Sequence, residues 1–143
     1  MRRTFLIFCL LCICFHSPML SAKPQAYTLD VNITGIIENG TVYVQLFEEG
    51  QKFKVNSREC LENKVRLNEG EKGSVRFEGL EAGTYAIMVY HDQNNNGILE
   101  TNFIGMPQEG VGTSNNVKGI PSFKKCQFRI KSSMSMEIEL VYF

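Results

Sequence analysis

Apolar and polar residues alternate at every second position over most of the chain, and no segment keeps a helical period through three turns. Tyr27, Leu29, Val31 and Ile33 interleave with Asp30, Asn32 and Thr34, which predicts a strand with one buried face. Val42, Val44 and Leu46 follow a Glu38-Asn39-Gly40 turn, so these two segments are expected to pair as a hairpin. Val75 and Phe77 predict a short third strand. Thr84 to Tyr90 is apolar on both faces, the mark of a central strand covered on each side. Cys126, Phe128 and Ile130 predict another. The cleanest alternation closes the chain, with Met134, Met136, Ile138, Leu140 and Tyr142 set against Ser135, Glu137 and Glu139.

About seven short strands between Gly- and Asn-bearing turns predict an all-β fold: a single-domain antiparallel β-sandwich with Greek-key connections. A partly closed barrel is the alternative. Two long connections break the pattern. Glu48 to Glu71 is polar, with room for one helical turn. Gln93 to Pro121 is rich in Gly and Asn, and Phe103, Ile104 and Met106 are expected to anchor it. There is no internal repeat or linker.

The first 22 residues read as an export leader: Arg2 and Arg3, an apolar run from Phe5 to Phe15, then Pro18 and a cut after Ala22. The run falls short of the roughly 20 residues that cross a bilayer, so no transmembrane segment is expected once the leader is removed. The expected domain is therefore residues 23–143, in the periplasm or outside the cell. Taking Arg2 and Arg3 from the 15 basic residues leaves 13 against 15 acidic ones, a net charge of −2. That balance gives no electrostatic footprint for nucleic acid. Of the 5 cysteines only Cys60 and Cys126 lie beyond the leader, and in an oxidising compartment the two are candidates for a disulfide.

Candidate chemistry gathers in His91 to Glu100, HDQNNNGILE. Calcium needs several oxygens around one point, which a chain supplies by alternating short oxygen side chains and then turning at a glycine. Asp92, Asn94 and Asn96 have that spacing, Gly97 follows, Ile98 offers a backbone carbonyl and Glu100 a carboxylate. Phe103 stands where a helix-flanked calcium loop would carry its bidentate glutamate. The same residues also suit a tight turn that needs no ion, because Asn and Asp side chains bond their own backbone two residues on. His91 is the single histidine beyond the leader, so a zinc site of three histidines cannot be built. Paired with Asp92, Glu100 or Glu109, His91 is a candidate acid or base, and Ser114 the one candidate nucleophile, without a nucleophile elbow around it. Asn102, Glu109, Ser114, Asn115 and Asn116 complete a candidate ligand or partner surface, provided that the Asn115-Asn116 loop folds back beside Asp92.

Phe77 to Asn116, FEGLEAGTYAIMVYHDQNNNGILETNFIGMPQEGVGTSNN, followed by Pro121-Ser122-Phe123, resembles the domain of unknown function 2141 family of exported bacterial proteins. The shared pattern is F-x-G-L-x-x-G-x-Y, H-D-x-N-x-N-G, T-N-x-x-G-x-P-x-E-G and S-N-N. Glu100 stands where that pattern has aspartate, and Lys124, Lys125 and Cys126 are departures from it. The first motif is also similar to prealbumin-like (transthyretin-like) modules, which implies a seven-stranded sandwich without catalytic machinery of its own. Three classes of function follow. The leading one is a non-catalytic binding or structural module whose loop 92–109 is stabilised by calcium or by its asparagines. The others are a small-ligand carrier with an apolar cavity, and a hydrolytic enzyme using His91.

Overall fold

The computed structural model describes residues 25–143; the leader read over residues 1–22 lies outside the described residues. Eight strands run in order: β1 (Tyr27–Thr34), β2 (Gly40–Glu48), β3 (Leu61–Leu67), β4 (Gly73–Leu80), β5 (Gly83–Asp92), β6 (Gly110–Thr113), β7 (Phe128–Ile130) and β8 (Met134–Glu139). One helical turn, α1, spans Phe123–Cys126. The strands form two sheets, ordered β4-β1-β8 and β3-β2-β5-β6, with β7 beside β5. β6 and β7 share one edge of β5, β6 opposite Met88 to His91 and β7 opposite Gly83 to Tyr85.

The alternation decides which side chains meet. Leu29, Val31 and Ile33 of β1 and Val42, Val44 and Leu46 of β2 are all buried in one cluster between the sheets, with Ile87, Val89, Ile130 and Ile138. The expected β1–β2 hairpin is thus corrected. Both edges of β1 are occupied, by β4 and β8, and β1 meets β2 across the core, where two apolar faces cover each other. The β1–β8 pairing is also parallel, an exception to the antiparallel expectation. β3 replaces part of the expected loop 48–71. Its Glu62, Lys64 and Arg66 stay exposed, as befits a strand at a sheet edge that solvent and charge protect. Cys126 ends α1, two positions before the strand it was expected to begin.

The two sheets are also tied at their margins. Val111 and Val141 exchange backbone hydrogen bonds beside β6 and β8, and Asn63 Nδ2 of β3 donates to the Arg76 carbonyl of β4 at 2.7 Å. The two sheets are thus linked at both margins.

β5 is buried on both faces, as its composition predicts. Its outer face is covered by loop 49–60 and α1: Phe53 packs edge-on against Phe47 of β2 and against Phe123, with ring centroids 4.9 and 5.8 Å apart. Under this cover Tyr43 and Tyr90 stack at 4.8 Å, and the buried Gln45 bonds Glu62 and the Asn56 amide.

Candidate functional site

β5 ends at Asp92, and the chain does not re-enter a sheet until Gly110. The segment between them is built on two carboxylates. Asp92 is fully buried, and its two oxygens accept the amides of Asn96 at 3.0 Å and Gly97 at 2.7 Å. Glu109, 4 % exposed, accepts the Gln93 amide with one oxygen and the Glu100 amide with the other, at 3.0 and 3.2 Å. Each anion satisfies backbone donors that the turn would otherwise strand. The asparagines act locally: Asn94 Oδ1 also reaches the Asn96 amide, Asn96 Oδ1 accepts from Ile98, and Asn96 Nδ2 donates to Glu100. Asn95 and Gly97 take positive φ, 60° and 78°, a region that asparagine tolerates and glycine enters freely. Two further bonds tie this loop to the β1–β2 connection and the start of β2, Gln93 Nε2 to Glu38 and Thr41 Oγ1 to Asn95.

Beyond Glu100 the chain makes a small hairpin. Thr101 bridges Pro107, and the Gln108 amide donates to the Glu100 carbonyl at 2.9 Å. Asn102 Oδ1 accepts the amides of Ile104 and Met106 at 3.1 and 3.0 Å, which fixes the tip. The expected inward anchoring by Phe103, Ile104 and Met106 is corrected: Phe103 is 99 % exposed and Ile104 69 %. Polar bonds hold this loop, and its apolar side chains point to solvent.

His91 lies on the core face of β5, wholly buried, with Nδ1 2.8 Å from the Tyr142 hydroxyl. Its Nε2 has no partner among the described residues and faces Gly40, where any Cβ would stand 2.4 Å away. Only glycine fits at position 40. Burial pushes the imidazole below its ordinary value, against the opposite pull of Glu38 and Asp92, so the ring is held neutral. Burial also pushes the Tyr142 phenol up. The pair clamps the C-terminal segment onto β5 and packs the Tyr142 ring over Gly110.

Ser114 is buried too. Its hydroxyl donates to the Cys126 carbonyl and accepts the Ile87 amide, so it bonds neither His91 nor the loop carboxylates. Asn115 Nδ2 donates to the carbonyls of Lys125 and Gln127, and Asn116 Oδ1 accepts the Glu139 amide. The two polar loops therefore leave opposite ends of β6, about 13 Å apart for four residues at roughly 3.3 Å each. The single patch expected from 92–116 is two places. Asp92, Asn94, Asn96, Glu100 and Glu109 come together; Asn102 holds the hairpin tip, and Asn115 and Asn116 do not join them. Sequence reasoning missed the roles of Tyr142 and Gly40, which meet His91 only through the fold, 51 residues away in both directions along the chain.

The Cys60–Cys126 bridge is corrected as well, since both thiols are free. Cys60 precedes the outermost strand of its sheet and donates to the Ser57 carbonyl, whereas Cys126 is buried beside β5. Two strand spacings, roughly 10 Å, separate those positions, beyond the roughly 7 Å Cα limit for a bridge. The space between the sheets, where a carrier would hold its ligand, is filled by core side chains such as Leu29, Val44 and Ile87. Among the described residues no helix is long and apolar enough to cross a membrane, and no group of three or more His, Cys, Asp or Glu side chains is placed to hold a metal.

The fold and this loop define a class: an all-β sandwich domain whose one elaborate feature is a self-bonded polar loop with an apolar tip. The chain belongs to the family described as an uncharacterized protein conserved in bacteria (DUF2141), whose model matches residues 31–138. No curated protein and no solved structure matches it.

Proposed function

We propose that this is an exported, non-catalytic binding module that presents loop 93–109 to a partner. The observation that carries the reading is the tip: Phe103 is 99 % exposed on a hairpin whose backbone is fixed by Asn102 and Glu109. A monomer gains nothing from an aromatic ring held rigidly in water. A binding surface does gain, because an ordered loop loses less entropy when a partner docks. Aromatic side chains dominate the energetics of such contacts. The buried, neutral His91 and the internally bonded Ser114 support this reading over hydrolysis.

The test is a photoactivatable amino acid placed at position 103 of the exported chain and, as control, at exposed Glu81 at the far end. A discrete adduct from 103 and none from 81 is expected; equal labelling from both positions contradicts the proposal.

Calcium at Asp92, Asn94, Asn96, the Ile98 carbonyl and Glu100 is a second reading of the same loop. It is supported by the way the Asn96 and Gly97 amides curl the chain about the Asp92 carboxylate. Only Asp92 and Glu100 bring charge, so the affinity expected is of the weak, roughly millimolar kind. A melting temperature that rises with calcium and no longer does so in Asp92→Asn supports it; an unresponsive wild type removes it.

A further inference from the structure

Three inter-strand loops and the chain terminus meet at one end of the sandwich: segments 35–39, 68–72, 93–109 and 140–143. The Gly70 amide donates to Ile36 and the Glu69 amide to Asn39, while Gln93 bonds Glu38 and Leu140 bonds Thr34. This end gathers the exposed apolar surface. Of the nine large apolar side chains that are exposed among the described residues, only Leu61 and Ile120 lie elsewhere. Ile98, Phe103, Ile104 and Met106 come from the long loop, Ile37 from the first turn, and Val141 and Phe143 from the terminus.

Charge at this end is predominantly of one sign. These four segments expose Glu38, Glu69, Glu71 and Glu100 and hold one basic residue, Lys72. At the other end the signs are mixed: loops 49–60 and 131–133 carry Lys52, Lys54, Arg58 and Lys131 beside Glu49 and Glu59, the β4–β5 turn adds Glu81, and Lys124 and Lys125 lie in α1. A net charge of −2 beyond the leader thus conceals an acidic excess at the loop end.

Resting on the binding-module reading above, we infer that the loop end docks a polypeptide offering an apolar pocket rimmed by lysine or arginine. The protruding Phe103 hairpin calls for a concave apolar receiver, and the glutamates around it call for cations at the rim. A lipid surface fits poorly: anionic leaflets attract basic segments by about 1 kcal/mol per Lys or Arg, and this end presents carboxylates. Two such ends brought together symmetrically would oppose like charges.

The experiment selects disulfide-closed random peptides displayed on phage against the full chain at low salt. The expected winners combine Lys or Arg with large apolar residues. They lose affinity at least about tenfold against Phe103→Ser, and several-fold against Glu100→Lys and at high salt. Phe103→Ser is checked for an unchanged melting temperature, and an exposed side chain should pass that check. Winners indifferent to Phe103→Ser, or no winners at all, overturn both this inference and the choice of loop on which it rests. Winners that need Phe103 but are neutral or acidic, or that ignore Glu100→Lys, overturn the cationic partner and leave the binding module standing. Phe103-dependent attachment to phosphatidylcholine or phosphatidylglycerol vesicles overturns the polypeptide in favour of lipid. Phe103-dependent self-association in sedimentation overturns it in favour of a second copy.

Discussion

Loops 49–60 and 93–109 are both long and polar, and they solve the problem of staying ordered in opposite ways. Loop 49–60 turns its aromatic inward: Phe53 wedges between Phe47 and Phe123, and the loop becomes a lid over the outer face of β5. Loop 93–109 turns its aromatic outward and is held from below by Asp92 and Glu109, whose oxygens grip four backbone amides. One loop is ordered by burying apolar area, the other by satisfying donors. Only the second arrangement leaves an ordered apolar surface exposed, and the proposed binding role rests on that difference.

The largest effect should come from cutting the polar grip. Asp92→Ala strands two amides beneath the loop and should lower unfolding stability by about 3 kcal/mol. The check is a denaturant midpoint shift at constant slope. Next, Phe53→Ala removes a half-buried ring from the lid and should cost about 2 kcal/mol, less than a full core truncation. Equal and trivial losses in both variants would erase the contrast between the loops.

Smaller, and visible only in acid, is the contribution of His91. The unfolded chain binds a proton near the ordinary imidazole value of 6.5, while the buried ring resists it. Below that pH the unfolded state holds more protons, so stability should fall as pH drops through about 6.5. Tyr142, Glu38 and Asp92 face or flank the ring. His91→Gln should flatten that part of the stability–pH curve, measured by denaturation at a series of pH values; an unchanged slope assigns it to other groups. The smallest effect belongs to Phe103→Ser, whose stability should stay within about 0.5 kcal/mol of wild type by thermal melting.

Much of the fold could be read along the chain, because alternation reports which face of a strand is buried. β1, β2, β5 and β8 lie where their apolar faces predicted. What alternation does not report is a strand's neighbours. β1 and β2 face one another across the core with the same pattern that a hairpin would need, so their pairing was misread. β3 escaped notice because charge on an edge strand looks like loop. At the site, the turn chemistry of Asp92, Asn94, Asn96 and Gly97 was legible, since those side chains act on neighbours two to five residues away. The grip of Glu109 on Gln93 spans sixteen residues and leaves no local trace. Nor does the direction of Phe103, because an apolar run in a loop reads the same whether it anchors or projects. Asn102, with Gly105 three residues on and Pro107 closing the turn, was the local sign that the tip had its own structure.

Amide hydrogen exchange of the full chain in chelator-containing buffer bears most directly on whether the two buried carboxylates hold the loop. Protection at Gln93, Asn96, Gly97 and Glu100, lost at Asn96 and Gly97 in Asp92→Ala while the β5 amides stay protected, is the predicted result. Exchange at those four amides as fast as in an unstructured peptide would contradict it.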